Sequence, residues 1–383
     1  MSSPALPEHL EHPGPGTEPS LELSYRAIDN GLHYDSLEEG AEQLSEYQPG
    51  GNHPAHIEDF LGDQYRSCLD RFEINGPNGT HQCLVHPAAG PSVKDVPLVV
   101  ENSSKTLRSL CYQAAEAMAV LHRHDICHGD FLPHNILLRL HSLDGMEETQ
   151  LVEEELSWVP ESNTDQVEWH EENGGLATDK IFVNTLGQAF DSSNPPAHGP
   201  CIPLAYSAPE LVLENRAGKA SDIWTLAATI FRICVGRKLF SAIDEEAYEL
   251  LEYMVEILGP FPEPLRSAWK VHPLRFRDEP DANGNAVPTK EHENRWAVQS
   301  SGKPSLRKAL NGHVYHCPQR VILRYRKIPE AEKDVFEDLI RMMCRYVPDE
   351  RPSIEHVLQH PWFSFENTEA ELESESESDQ EMQ

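Results

Sequence analysis

The stretch CHGDFLPHNILL, residues 127–138, determines how the rest of this chain is interpreted. It places Asp130 five residues before Asn135, and an apolar run follows. The amphipathic pattern before the stretch predicts a helix and the apolar run predicts a short strand, so Asp130 and Asn135 share a tight loop. This pattern is typical of phosphoryl transfer, in which the aspartate accepts the proton of the attacking hydroxyl and the asparagine ligates magnesium on the phosphates.

Two classes of phosphotransferase use such a loop, so the downstream sequence must distinguish them. Ala-Pro-Glu stands at 208–210, and Pro-Asp-Glu-Arg stands at 348–351. Between them, Ser-Asp-Ile-Trp at 221–224 opens a nearly continuous apolar run to Cys234. A helix that is apolar on all sides is buried, and Ser221 or Asp222 is suited to cap its free amide groups.

Together these motifs resemble the SR-protein kinases, especially the fungal type, over roughly residues 47–363. YQPGGNHPAH at 47–56 resembles the lead-in to their catalytic domain, and GPNGTHQCLV at 76–85 resembles their turn and strand before the hinge. The resemblance implies an α+β, protein-kinase-like fold, mainly the α-helical large lobe with a degenerate small lobe. The aminoglycoside and choline phosphotransferases share the loop but lack the downstream motifs, and remain the less favoured alternative.

The resemblance divides the chain into a large lobe with two insertions, a truncated small lobe and two polar tails. The tails are predicted to be disordered because they lack apolar periodicity and are rich in Pro, Glu, Gly and Ser. The predicted segments are an N-terminal tail at 1–46, a remnant of the small lobe and hinge at 47–88, a large lobe at 89–364 with an acidic insert at 141–179 and a late insert at about 262–330, and an acidic tail at 365–383.

The small lobe lacks the parts that hold nucleotide phosphates in a protein kinase. No G-x-G-x-x-G precedes the hinge, and the first lysine of this sequence is Lys94, beyond the hinge. The resemblance therefore predicts that a stretch is missing between Tyr65 and Asp70. Its loss is expected to expose apolar surface on the hinge side of the large lobe, and hence to make the chain poorly soluble unless a partner covers that surface.

The resemblance assigns roles to residues of the loop and hinge. It makes Asp130 the catalytic base, Asn135 the magnesium and nucleotide ligand, Val85 a hinge residue against the nucleotide, and His128 a structural residue. ATP and Mg²⁺ are the implied cofactors. A zinc site built from the nearby histidines is disfavoured because they straddle a helix end and lack a carboxylate or thiolate set.

Three positions depart from the family pattern. Thr185 stands where the family has the aspartate that holds the bridging magnesium, and a neutral hydroxyl is a poor ligand for a hard dication. Asn184 is expected to point to the other face of the strand formed by Lys180-Ile181-Phe182-Val183-Asn184, and so not to replace that ligand. Gly129 replaces an arginine, which implies no dependence on a phosphorylated activation loop, and Leu132 replaces a lysine on the transferring phosphate.

Three further residues have structural roles in the resemblance. Asp222 is expected to hold the backbone of the catalytic loop. Arg351 is expected to pair with Glu210, and both members of this pair are present, as a buried ion pair requires. The sequence before the catalytic loop, with Leu107, Leu110, Ala114 and others at three- and four-residue spacing, predicts an amphipathic helix over 103–123 that is capped by Ser103 or Ser104.

Composition limits the partners. The 383-residue chain carries 64 acidic and 31 basic residues, a formal charge of −33, which argues against nucleic acid and anionic membranes and favours basic partners such as Arg/Ser-rich protein segments. The eight cysteines form no C-x-x-C pair, as expected of a reduced protein of the cytoplasm or nucleus. The oligomeric state is left open by the sequence.

Two hypotheses of function follow. In the first, the chain is an SR-protein-kinase-type serine/threonine kinase domain that phosphorylates Ser in Arg/Ser-rich proteins, with its activity impaired by the missing groups. In the second, it is a pseudokinase that binds basic segments through its acidic surface without chemistry.

Overall fold

The computed structural model describes the large lobe and a short segment before it. The predicted N-terminal tail, nearly all of the acidic insert and the C-terminal tail lie outside the described residues. In the part of the chain that is described, no helix is long and apolar enough to cross a membrane. The described residues are 64–76, 79–94, 104–140, 177–240, 247–282, 284, 286–290, 305–310, 314–316, 322–324 and 328–366.

The helices contain about twice as many of the described residues as the strands do. The late insert contributes three short helices and two of the strands described below, and is therefore not a structureless loop. The helices are α1 (Ser104–Arg123), α2 (Pro209–Glu214), α3 (Lys219–Val235), α4 (Ala247–Leu258), α5 (Leu265–Ala268), α6 (His272–Arg275), α7 (Leu306–Ala309), α8 (Glu330–Met343) and α9 (Ile354–Leu358).

The strands form four small antiparallel sheets. β1 and β2 form a hairpin; β3, β5 and β6 form a three-stranded sheet in that order; β4 pairs with β7, and β8 pairs with β9. The strands are β1 (Asp70–Gly76), β2 (Gly79–Val85), β3 (Ala89–Ser92), β4 (Ile126–Cys127), β5 (Ile136–Leu140), β6 (Ala177–Val183), β7 (Phe190–Asp191), β8 (Val314–His316) and β9 (Ile322–Arg324).

Helices α1 and α3 lie at the centre of the core. The predicted helix over 103–123 is confirmed as α1, and its stripe of apolar side chains is buried. Almost every residue of α3 is buried, as its apolar sequence predicts, and the helix ends at Gly236, whose φ of 84° is readily available to glycine. The two helices touch through Cys111 and Cys234, whose sulfur atoms lie 3.7 Å apart.

The catalytic loop connects β4 to β5, and β6 lies beside β5. Ile136 pairs with Val183, so the ends of the two strands that carry the predicted site residues are adjacent. β6 begins at Ala177 and ends at Val183, whereas the sequence predicts a strand from Lys180 to Asn184. The predicted acidic insert at 141–179 therefore overlaps the start of β6 by three residues.

Two anchors flank the predicted gap between Tyr65 and Asp70. Tyr65 is buried in the large-lobe core, donates a hydrogen bond from its hydroxyl to the Ala117 carbonyl oxygen (2.9 Å), and forms a parallel bridge with Val183. The Leu69 amide donates to the Val85 carbonyl oxygen at 2.7 Å. A stretch of small lobe inserted between Arg66 and Leu69 would leave both anchors in place. The position of the missing stretch therefore stays a prediction.

Candidate active site

Asp222 holds the backbone of the catalytic loop from the first turn of α3. Its carboxylate accepts hydrogen bonds from the amides of His128 (2.8 Å) and Gly129 (3.1 Å). The same carboxylate lies 3.0 Å from Nε2 of His122 in α1. Because Asp222 is 2% exposed, these charge-assisted bonds are shielded from water and fix the loop relative to both central helices.

His128 is a neutral, buried part of this frame. Burial lowers the pKa of His128 to about 4, so the imidazole is uncharged near neutral pH. Its Nδ1 accepts a hydrogen bond from the Asp130 amide at 3.2 Å, and its ring packs edge-on against Phe131 with the ring centres 5.0 Å apart. His128 therefore positions the residue that follows the loop's glycine and does not itself act as a base or a cation.

Asp130 and Asn135 lie together, as expected of a phosphoryl-transfer loop. The Asn135 side-chain amide donates at 2.8 Å to both the carbonyl oxygen and Oδ2 of Asp130. Burial raises the pKa of Asp130 to about 6, and the hydrogen bond from Asn135 opposes this effect without cancelling it. Oδ1 of Asp130 is buried with no hydrogen-bond partner. This oxygen is placed to accept a proton from a hydroxyl group that enters the site.

The structure gives a steric reason why glycine occupies position 129, which the sequence alone did not reveal. Its φ is 75°, and a Cβ atom built on it would lie 2.3 Å from the carbonyl oxygen of Gln188. Any side chain at this position would force apart the catalytic loop and the segment after β6. The signal available in the sequence was the glycine itself, which was interpreted there only as the loss of an arginine.

Leu132 belongs to the core of the large lobe. It is 1% exposed, and its amide donates to the Asp130 carbonyl oxygen at 2.9 Å. A side chain that is buried in this way does not reach a phosphate group. The position that the family resemblance associates with a lysine therefore contributes to packing here.

Thr185 follows the end of β6 beside the catalytic loop. The preceding amide, of Asn184, donates to the Asn135 carbonyl oxygen at 2.7 Å, which brings this segment against the loop. Thr185 is exposed and has a φ of 60°, a left-handed conformation that is a genuine outlier for a β-branched residue. Its neutral hydroxyl is a poorer ligand for a bridging magnesium ion than the negative carboxylate of the family pattern.

No alternative metal site replaces this one among the described residues. Within those ranges, no group of three or more histidine, cysteine, aspartate or glutamate side chains is arranged to hold a metal ion.

Glu210 and Arg351 form a buried, two-pronged ion pair. Nη1 of Arg351 donates to Oε1 of Glu210 at 2.6 Å, and Nη2 donates to Oε2 at 2.7 Å. The remaining donors of Arg351 bond to backbone carbonyl oxygens, and its guanidinium carbon lies 5.0 Å from the ring centre of Trp224. The pair connects the start of α2 to the turn before α9 and to the core helix α3.

Val85, the predicted hinge residue, lies at the end of the hairpin. Its backbone pairs with Asp70 and accepts a hydrogen bond from Leu69, and its side chain is 37% exposed. The described contacts of Val85 are thus with the hairpin, whereas Asp130, Asn135, His128 and Asp222 form one connected cluster.

Comparisons with known proteins point to protein kinases. The profile of the protein kinase domain family matches residues 184–363. The dual specificity protein kinase CLK2 of Homo sapiens is 25% identical over 309 residues, which are 79% of this chain and 52% of that protein. The serine/threonine-protein kinase AFC2 of Arabidopsis thaliana is 22% identical over 335 residues, 84% of this chain and 65% of that protein.

The cell division control protein 2 homolog 3 of Trypanosoma brucei brucei is 27% identical over 260 residues, 68% of this chain and 60% of that protein. The match spans about half the length of CLK2. These matches are to protein kinases, which favours that interpretation over a small-molecule phosphotransferase. Residues 184–363 thus match the protein kinase domain, and the low-identity relatives support the resemblance to SR-protein-kinase-like serine/threonine kinases.

Proposed function

We propose that this chain is a kinase domain that engages basic, Arg/Ser-rich protein segments and transfers phosphate from ATP very poorly or not at all. The observation that carries the proposal is the contrast at the active site between Asp130 and Thr185. The base is held in place with one oxygen available, but the adjacent metal position carries an exposed threonine hydroxyl.

The size of the loss follows from how phosphoryl transfer is catalysed. Positioning and electrostatic stabilisation of the phosphates supply most of the rate enhancement. One preorganised donor contributes about 3 kcal/mol of transition-state stabilisation, so the loss of a metal carboxylate alone is severe. The sequence also has no lysine before Lys94 and no Gly-rich loop before the hinge, so two further stabilising groups are missing.

The chemistry that remains to this chain's own residues is orientation and proton acceptance. The Asn135 amide fixes one oxygen of Asp130, and the other oxygen is buried without a hydrogen-bond partner. With a pKa of about 6, Asp130 is mostly ionised at neutral pH and is able to accept a proton there. These residues retain the geometry of substrate alignment without the groups that stabilise the phosphates.

The formal charge of −33 supports a basic partner, because opposite charge speeds encounter and favours complex formation. Arg-rich segments are the partner class with the greatest charge complementarity. The proposed substrates of the domain are therefore the serines that lie within such segments.

The test is a transfer assay with an Arg-Ser repeat peptide, Mg²⁺ and labelled ATP. The wild-type chain is expected to give no more product than its Asp130→Ala variant. Thr185→Asp supplies the missing carboxylate and is expected to give a larger thermal shift with Mg·ATP than the wild type gives. Robust magnesium-dependent transfer by the wild type that Asp130→Ala abolishes would contradict the proposed loss of activity and show that the chain is an active kinase.

A second candidate function is a pseudokinase that binds basic segments without chemistry, which the large negative charge favours. Fluorescence anisotropy with an Arg-rich peptide distinguishes it. Binding that weakens steeply with salt, together with no thermal shift on adding nucleotide, would favour this candidate. A Glu-rich peptide of the same length is the control, and binding that ignores salt would contradict both candidates.

A further inference from the structure

The β1–β2 hairpin exposes apolar side chains in a way that the large lobe does not. Among the described residues, six large hydrophobic side chains are exposed, and four of them belong to the hairpin and the residue that leads into it. They are Leu69 (64%), Phe72 (47%), Leu84 (39%) and Val85 (37%). Phe72 and Val85 lie on one face of the hairpin and Leu84 lies on the other, so the hairpin exposes apolar side chains on both faces.

The hairpin is attached to the large lobe by its base. The Arg66 amide donates to the Val183 carbonyl oxygen at 3.1 Å, and its guanidinium donates twice to the Pro87 carbonyl oxygen, at 2.9 and 2.7 Å. The Tyr65 hydroxyl bonds to α1. The hairpin is thus presented as a fixed edge and not as a free arm.

The outer edge of β1 has no partner strand among the described residues, since β1 pairs only with β2. An isolated two-stranded hairpin is marginally stable in water, and an unpaired strand edge is a template for pairing with another chain. The unpaired edge of β1 is therefore suited to accept an additional strand.

The sequence of β1 is self-complementary for that purpose. If a second copy pairs antiparallel with β1 about a two-fold axis through Phe72, Arg71 of each copy lies opposite Glu73 of the other. Arg71 and Glu73 lie on one face, and Phe72 lies on the other, where it meets the same residue of the second copy. Both charges are exposed, and within their own chain they face uncharged residues, Leu84 and Gln82.

We propose that two copies of this chain form a dimer by antiparallel pairing of their β1 strands, centred on Phe72. The dimer joins two hairpins into a four-stranded sheet and places two Arg–Glu pairs on one face and an aromatic pair on the other. Because two strands bury little surface compared with a permanent interface, the dimer is weak and depends on concentration.

Analytical ultracentrifugation of the full chain over a range of concentrations tests the proposal. In the proposed dimer, position 71 of each copy lies opposite position 73 of the other. Arg71→Glu and Glu73→Arg each put like charges at both of these contacts, and each is expected to weaken dimerisation about tenfold. The double variant, Arg71→Glu with Glu73→Arg, restores complementary pairs and is expected to dimerise like the wild type. Neither change places an opposing charge within the hairpin itself, because the intrachain partners are uncharged.

A mixture of the two single variants provides the most specific test of the proposed pairing. Each variant alone is expected to be mostly monomeric, but the acidic variant and the basic variant complement each other and are expected to form a mixed dimer. Leu274→Asp is the control, because Leu274 is 68% exposed and lies outside the hairpin. It should leave dimerisation unchanged, whereas Phe72→Asp should abolish it.

Two results would overturn the proposal. A wild-type chain that is monomeric at every concentration would mean that something other than a second copy, such as residues 1–63 of the same chain, covers the hairpin. A dimer that is insensitive to Arg71→Glu, Glu73→Arg and Phe72→Asp would mean that the copies meet through another surface.

Discussion

The catalytic loop and the segment that follows β6 lie side by side, joined by a hydrogen bond from the Asn184 amide to the Asn135 carbonyl oxygen, but they differ in how they are held. The loop is anchored by the buried carboxylate of Asp222 and packs on α3. The segment after β6 places an exposed, conformationally strained Thr185 at the corresponding edge of the site.

The difference separates folding from chemistry. The hydrogen bonds from the amides of His128 and Gly129 to the Asp222 carboxylate, which keep the loop in place, are all present in the buried core. The group that a phosphate-bound cation would need lies on the solvent side, where its replacement by threonine removes no core contact. The proposed loss of transfer activity is therefore compatible with an intact large lobe.

Breaking the buried frame should have the largest effect on stability. Glu210→Ala leaves Arg351 buried with no counter-charge, which typically costs about 3–5 kcal/mol. The side chains of both residues are almost fully buried, so water cannot replace the lost partner. Urea unfolding measures the loss. Asp334→Ala removes one partner of an exposed pair with Arg307 and is the control, with an expected cost under about 1 kcal/mol.

Removing Asp222, which anchors the catalytic loop, should have the second-largest effect on stability. Asp222→Ala leaves the buried amides of His128 and Gly129 without their acceptor, and the expected cost is about 3 kcal/mol. Hydrogen exchange should show faster exchange at those two amides in particular. Lys219→Ala removes the exposed pair with Asp125 near the same helix end, and a loss as large as that of Asp222→Ala would contradict the special role of the buried carboxylate.

Asp130→Asn should raise stability, in contrast to the two changes above. Burial raises the pKa of Asp130 from 3.8 to about 6, so the folded state disfavours the ionised carboxylate. The cost of ionisation is fully present above pH 6 and disappears as the pH falls below about 4, where the acid is protonated in both states. Removing the charge relieves the cost of ionisation, but the new amide leaves a buried donor unpaired, which offsets part of the gain. The net gain in the free energy of unfolding at pH 7.5 should be about 1–2 kcal/mol.

Thermal unfolding at pH 7.5 and pH 4 checks this prediction. The gain should shrink at the lower pH, and a gain that is the same at both values would mean that ionisation of Asp130 is not its source. An unchanged or lower stability at pH 7.5 would mean that the site compensates the buried charge by other means.

The frame was predictable from the sequence because its parts carry local signals. The apolar spacing of 104–123 specifies α1, and the apolar run after Asp222 specifies α3. The motifs that contain Glu210 and Arg351 are likewise visible in the sequence, and the structure joins them.

The details that the sequence could not give depend on contacts between distant segments. The steric role of Gly129 requires the position of the Gln188 carbonyl oxygen, 59 residues later in the chain. The anchoring of Tyr65 on Ala117, 52 residues later in the chain, likewise leaves no local pattern in the sequence. The inward packing of Leu132 also depends on the assembled core.

The smallest expected effect is at the strained position after β6. Thr185→Asn should raise stability by about 1 kcal/mol, because asparagine adopts left-handed backbone angles more readily than a β-branched residue does. Asn215, at φ 54°, provides the reverse control: Asn215→Thr should lower stability by a similar amount. Denaturant unfolding of both variants measures the pair. If Thr185→Asn is neutral while Asn215→Thr is costly, the strain at Thr185 is relieved by its neighbours, and the segment after β6 is held more firmly than its exposure indicates.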